Sequence, residues 1–125
     1  MKTFYRLSTL TLLLFISVTS LHAQETKANA TDRAKKMTDQ MKTELSLSDS
    51  SYTNVYAINL KYAEKNSEIM SGAEGRLAKL KSLKASNEEK EKEMKAVLTK
   101  EQFKKYKELM KERKADAKEA YKNRN

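Results

Sequence analysis

The scarcity of chain-breaking residues is the feature that most limits what this sequence can fold into. The 125 residues contain no proline and only two glycines, Gly72 and Gly75. A β-sheet protein needs turn residues every ten positions or so, whereas helices continue without them. The sequence therefore predicts a single all-α domain with long helices, and it argues against an all-β fold.

The first 23 residues have the pattern of a secretory signal peptide. Lys2 and Arg6 precede an apolar stretch over residues 7–18 that only serine and threonine interrupt. This stretch is short for a membrane span. We expect cleavage after Ala23, with a cut after Ser20 or an uncleaved anchor helix as alternatives. The protein is then exported, and residues 24–30 are expected to form a flexible tail.

The composition excludes most kinds of catalytic and metal site. Loss of Lys2 and Arg6 with the leader lowers the formal net charge from +9 to +7, so the remaining chain is still basic. The only histidine, His22, lies in the leader, and there is no cysteine. Zinc sites of the usual ligand types, thiol nucleophiles, Ser-His-Asp triads and disulfides are therefore excluded. Carboxylates alone would bind only hard cations, and weakly. We expect no enzyme activity, no cofactor and no metal site.

The supply of aliphatic side chains is small for a self-sufficient core. Leu, Ile, Val and Phe account for 13 of the 102 residues that follow Ala23, supplemented by five Met and five Tyr. Extended amphipathic helices that share a core with a second copy suit such a chain better than a compact monomer does. We therefore expect a homodimer.

Apolar periodicity divides residues 31–125 into about four antiparallel helices, two of them long. Thr31 or Asp32 is predicted to cap a first helix whose apolar stripe recurs at helical spacing. The stripe consists of Ala34, Met37, Met41 and Leu45. A second helix is expected from Tyr52 to about Ser71, a third from Arg76 after the two glycines, and a fourth from Thr99.

The fourth helix has the most informative start. With Thr99 as N-cap, its hydroxyl accepts from the N–H of Gln102, and the Gln102 side chain accepts from the N–H of Thr99, which makes a capping box. Leu98 and Phe103 occupy the two positions of a hydrophobic staple. These residues fix the angle between two helices.

A weaker copy of this corner occurs 51 positions earlier in the chain. Leu47 precedes a candidate N-cap at Ser48, and Tyr52 takes the staple position of Phe103. Ser51 stands where a capping box has Gln or Glu. Two such corners indicate a weak internal duplication.

The string Leu98-Thr99-Lys100-Glu101-Gln102 matches a Leu-Thr-x-x-Gln motif, and Leu47-Ser48 matches its first two positions in part. With a leader, basic charge and no His or Cys after the leader, the chain resembles the Spy/CpxP family of periplasmic proteins over roughly residues 31–110. The resemblance implies a thin, curved dimer, with coiled-coil-like helices, that holds unfolded or partly folded exported proteins without ATP during envelope stress. It also implies a periplasmic location.

Aromatic and basic residues are the candidate client-binding groups, because they offer adaptable apolar contacts within a positive field. They are Tyr52, Tyr56, Tyr62, Phe103, Tyr106, Lys104, Lys105 and Lys111. The aromatic members are also candidates for the core. The alternative function is a non-catalytic regulator that binds one specific envelope partner, such as a sensor, or an anionic surface. Nucleic acid is not expected as a partner of an exported protein.

Overall fold

The computed structural model describes residues 27–124, and within that range it contains four helices and no strand. Helix α1 covers residues 27–45, and α2 covers Asp49–Ser71. Helix α3 covers Arg76–Val97, and α4 covers Lys100–Lys122. The predicted all-α class and the number of helices are confirmed. The predicted signal peptide lies outside the described residues.

The relative lengths of the helices differ from the prediction of two long ones. Helices α2, α3 and α4 have 23, 22 and 23 residues. The charged middle of α3, residues 87–93, stays helical because it contains no glycine or proline, and glutamate and lysine are good helix formers.

The start of α1 also differs from the prediction. Residues 27–30 are already helical, and Ala30 is fully buried, so the expected flexible tail is wrong for these four residues. Thr31 is not an N-cap, because its hydroxyl donates to the main-chain oxygen of Lys27 at 3.0 Å, as a mid-helix threonine does. A threonine with helix-compatible residues before it does not have to begin a helix.

The other helix ends follow the predicted capping chemistry. Ser48 caps α2, its Oγ accepting from the N–H of Ser51 at 3.1 Å. At α4 both halves of the capping box are present, with Gln102 N to Thr99 Oγ1 at 3.2 Å and Thr99 N to Gln102 Oε1 at 3.1 Å. Gly72 and Gly75 delimit the break between α2 and α3, as predicted.

The first corner uses a conformation that the sequence did not predict. Ser46 has φ 54°, in the left-handed region that favours glycine, and the N–H of Leu47 donates to the oxygen of Lys42 at 3.1 Å. This is the hydrogen bond of a Schellman C-cap. Helix α1 therefore ends at Leu45 through a strained serine and turns directly into α2.

Side-chain contacts show that neighbouring helices run in opposite directions. Between α2 and α3, Lys61 Nζ lies 2.6 Å from a carboxylate oxygen of Glu93, and Lys65 Nζ lies 2.5 Å from one of Glu89. As residue numbers rise on α2, those of its partners fall on α3. These exposed pairs set register more than stability, since each contributes roughly 0–1 kcal/mol.

All four helices and both corners contribute to one hydrophobic core. Its buried members are Met41, Leu45, Leu47, Val55, Ile58, Tyr62, Met94, Leu98, Tyr106 and Leu109. Beside it, Asn59 Nδ2 donates to the buried Thr38 Oγ1 at 2.9 Å, and Thr38 donates to Ala34 O at 2.7 Å. The core uses only part of α2 and α3, because no residue from 63 to 85 is buried.

Candidate functional site

The region where α2 leads into α3 displays three of the four large apolar side chains that are more than half exposed among residues 27–124. Leu77, Met70 and Leu80 are 83%, 57% and 53% exposed. We call residues 68–84, which contain them, the α2–α3 tip. Large apolar groups clustered on a surface commonly mark a binding site. The tip is therefore the first candidate for contact with another molecule.

The tip is exposed because of where the core residues stop. The last core residue of α2 is Tyr62 and the first of α3 is Met94, so both helices extend well past the core. Over that extension polar contacts join the two helices. Ser86 Oγ donates to Asn66 Oδ1 at 2.7 Å, and nearer the glycines Lys79 Nζ donates to the main-chain oxygen of Met70 at 2.8 Å. The apolar face of Leu77 and Leu80 is left without a cover from the described chain.

Basic residues outnumber acidic ones around the exposed apolar groups. The first half of α3 carries Arg76, Lys79, Lys81 and Lys84 and no acidic residue before Glu88, while Glu68 and Glu74 are the two acidic residues of the tip. None of these four cations belongs to the ion pairs found among residues 27–124. Their charge is available to a partner, whose segment would have to be apolar with acidic residues nearby.

Two of the predicted client-binding aromatics are core residues. Tyr62 and Tyr106 are 1% and 4% exposed. Tyr62 donates through its hydroxyl to Glu93 Oε1 at 2.7 Å, and burial together with Glu93 raises the pKa of Tyr62 to about 12. Burial and the charge of Glu91 raise the pKa of Tyr106 to about 12 as well. Neither side chain is available to a client in this conformation, which corrects the prediction for these two.

Tyr52 and Tyr56 lie half-buried beside each other at the start of α2. Their rings are parallel, with centroids 6.4 Å apart, and Lys42 Nζ lies 5.3 Å from the centre of the Tyr52 ring. The Tyr52 hydroxyl donates to Asp39 Oδ1 at 2.7 Å, which raises the pKa of Tyr52. Hydrogen bonds from Lys35 and from Tyr52 both lower the pKa of Asp39, and the one from Lys35 has the larger effect. The hydrogen bond from Tyr52 to Asp39 joins α2 to α1. The two half-buried tyrosines leave only part of their surface free for another molecule.

The corner before α4 carries the remaining predicted aromatic. Phe103 is half-buried and packs against the core, its ring 5.9 Å from that of Tyr106. It also lines an open surface depression with Lys95, Lys100 and Lys104. Of the predicted cations, Lys104 is thus placed beside an aromatic ring, while Lys105 and Lys111 are exposed elsewhere on α4.

The corner residues have a further role that the motif did not reveal. Gln102 Nε2 donates to the main-chain oxygen of Leu45 at 3.3 Å, so the second corner is bonded to the first. Leu47 and Leu98, the residues that precede the two N-caps, are both buried in the same core. The two corners therefore meet, as the paired motifs in the sequence could have suggested.

Sequence reasoning missed the tip as a binding surface. Apolar periodicity places Met70, Leu77 and Leu80 on ordinary helix faces and does not show which apolar face finds a partner. The uninterrupted basic run from Arg76 to Lys84, directly after the glycines, was the signal that could have identified it.

Comparison with known proteins gives one match. The model of a family described as Domain of unknown function (DUF4890) matches residues 21–106, which include both corners and the tip. The chain belongs to this family. No curated protein and no solved structure matches it. The family description names no activity and gives no link to the Spy/CpxP family, so that resemblance stays a prediction from the corner motif.

No helix within residues 27–124 combines the length and apolar character needed to cross a membrane.

Proposed function

We propose that this protein is an exported, ATP-independent chaperone-like protein that holds unfolded or partly folded clients in the periplasm. The observation that carries the proposal is the exposed apolar group of the tip, Met70, Leu77 and Leu80, set among unpaired cations. A holding surface needs apolar contact area to capture a client and charge to speed the encounter, and this tip offers both.

The corner motif and the leader-like segment support the same function. The capping box at Thr99 and Gln102 is formed as the Leu-Thr-x-x-Gln resemblance requires, and the resemblance implies a holdase. The proposal includes a thin, curved homodimer, since few aliphatic residues form the core of one chain. Its clients would be apolar segments that contain acidic residues, which complement the basic tip.

The experiment measures aggregation of two unrelated chemically denatured proteins, one acidic and one basic, on dilution without nucleotide. We expect the purified exported chain to suppress the aggregation of both clients at near-stoichiometric molar ratios. The acidic client should need a lower molar ratio of this protein than the basic client does. Rising salt should weaken the preference for the acidic client, because exposed charges are screened.

A triple variant of the tip, Met70→Ser with Leu77→Ser and Leu80→Ser, tests the surface itself. These side chains are more than half exposed, so their removal should leave the helical circular dichroism signal unchanged. We expect suppression to be largely lost. The matched control is Tyr121→Ser, which removes another exposed apolar side chain, 62% exposed, from the end of α4. It should retain suppression.

Two outcomes would contradict the proposal. One is a helical wild-type chain that suppresses neither client. The other is equal loss of suppression in the triple variant and in Tyr121→Ser. Either outcome would favour the alternative function, a regulator that binds one specific envelope partner or an anionic surface.

A further inference from the structure

A second feature of the molecule lies away from the tip. A cavity of about 450 Å³ opens between the helices, and four basic side chains line it. Arg33 and Lys36 come from α1, Lys90 from α3 and Arg113 from α4. No carboxylate of residues 27–124 lines the cavity. Its volume lies within the range of small-ligand sites in proteins.

These four cations lack the ion pairs that other basic residues have. The five ion pairs among the described residues involve Lys35, Lys42, Lys61, Lys65 and Lys107. Burial, reinforced by the positive charge of Arg113, lowers the pKa of Lys90 to about 8. Like charges enclosed together repel, so the cavity favours an anion that would relieve the repulsion.

The arginines are held in place while donors remain free for a ligand. Arg113 donates through Nη2 to Gln40 Oε1, and its Nε is buried with no hydrogen-bond partner in the described chain. Arg33 donates through Nη2 to Ser67 Oγ and to Ala63 O. The hydrogen-bond partners of both arginines are neutral groups, so the positive charges of the arginines stay uncompensated at the cavity.

We propose that this cavity binds a small tetrahedral oxyanion of the phosphate or sulfate type. Basic side chains from three helices line the cavity, and charge-assisted hydrogen bonds to such an anion are stronger than neutral ones. The site is independent of the proposed client surface, because no residue of the tip lines the cavity.

Calorimetric titration at pH 7 and constant ionic strength tests the site, with sodium phosphate and sodium sulfate as probes. We expect one phosphate or one sulfate to bind per chain, because both are tetrahedral oxyanions that several basic side chains can contact at once. Dispersed phosphatidylglycerol vesicles should not compete with phosphate; competition would assign the site to a lipid headgroup and overturn the proposal of a free anion.

Variants identify the cavity as the place of binding. Lys90→Met should weaken phosphate binding by about tenfold or more, since it removes a charged donor. The matched control is Lys118→Met, which removes one positive charge from an exposed position of α4 outside the cavity and should bind phosphate as the wild type does. If Lys90→Met alters the circular dichroism spectrum, Lys36→Gln takes its place.

Two results would overturn the proposal. They are no saturable binding at millimolar phosphate or sulfate, and equal weakening by Lys90→Met and Lys118→Met. The side-chain N–H resonances of Arg113 give a second readout in NMR spectra, because they should shift on addition of phosphate and shift less in Lys90→Met under the same addition.

Discussion

Gln102 and Leu45 lie 57 positions apart in sequence and are joined by a hydrogen bond from the side-chain Nε2 of Gln102 to the main-chain oxygen of Leu45, at 3.3 Å. The same side chain accepts from the N–H of Thr99 through Oε1. One amide therefore caps the start of α4 and also satisfies a carbonyl at the end of α1, which would otherwise lack a partner.

A capping box accepts either Gln or Glu at this position, so the cap alone predicts equal stability for the wild type and Gln102→Glu. The second role of Gln102 predicts a difference. Gln102→Glu keeps the acceptor for Thr99 but loses the donor to Leu45 and places a carboxylate near the negative end of α1. We expect it to lower the free energy of unfolding by about 1–2 kcal/mol. Urea denaturation measures this, with Lys105→Ala, an exposed change on the same helix, as the control. A Glu variant as stable as the wild type would show that only the cap matters.

The strained backbone at the end of α1 predicts a substitution that raises the free energy of unfolding instead of lowering it. Ser46 has φ 54°, which a side chain disfavours and glycine does not. We expect Ser46→Gly to raise the free energy of unfolding by about 1 kcal/mol. Ser50→Gly is the matched control, because Ser50 is exposed in the first turn of α2, where glycine should destabilise by about 0.5–1 kcal/mol. Thermal denaturation of both variants tests the pair, and equal effects would contradict it.

Helix ends at the corners and at the glycines were predictable from sequence because local chemistry decides them. Ser48 and Thr99 each supply an oxygen for the first turn of the next helix, and no distant residue is needed for that. Thr31 offers the same chemistry but lies within a helix. A capping residue thus locates a helix start in this chain where it follows a leucine that is held in the core, as Leu47 and Leu98 are.

Burial was less predictable than the helices, because it depends on how the helices pair. Tyr56 and Tyr62 have the same residue type and lie on the same helix, yet one is half-buried and the other is 1% exposed. Leu80 and Met94 both belong to the apolar pattern of α3, but only Met94 reaches the core. The cationic cavity could not be predicted either, since Arg33, Lys90 and Arg113 are far apart in sequence and look like ordinary surface residues.

The Glu93 carboxylate has two donors whose effects can be separated. Lys61 lies 2.6 Å and the Tyr62 hydroxyl 2.7 Å from Glu93 Oε1, and both lower the pKa of Glu93, Lys61 by the larger amount. We expect the pKa of Glu93 to rise in Lys61→Met and to rise less in Tyr62→Phe. NMR titration of the Glu93 side chain measures both. Lys100→Met, a change on the exposed start of α4, should leave the pKa of Glu93 as it is, and the reverse order of the two rises would refute this assignment.

Lys90 makes the stability of the protein depend on pH in a direction that is unusual for a lysine. Its pKa is about 8 in the folded chain, below the ordinary value of 10.5, so the unfolded chain binds this proton more tightly than the folded one. Below pH 8 the charged Lys90 therefore lowers the free energy of unfolding by its full penalty, and this penalty is lost as the pH rises from 8 to 10.5. Replacing Lys90 with methionine should remove a penalty of up to about 3 kcal/mol at pH 7.

The comparison between wild type and Lys90→Met isolates this effect, because the other ionisable residues that line the cavity, Arg33, Lys36, Tyr62 and Arg113, are present in both proteins. We expect the variant to be the more stable at pH 7 in a chloride buffer, with a difference that shrinks toward pH 10. Phosphate should shrink the difference at pH 7 as well, since an anion in the cavity stabilises the charged lysine of the wild type alone. A difference that stays constant from pH 7 to pH 10 would mean that Lys90 is solvated and keeps its ordinary pKa. Lys118→Met, measured in the same buffers, should show no such dependence on pH or phosphate.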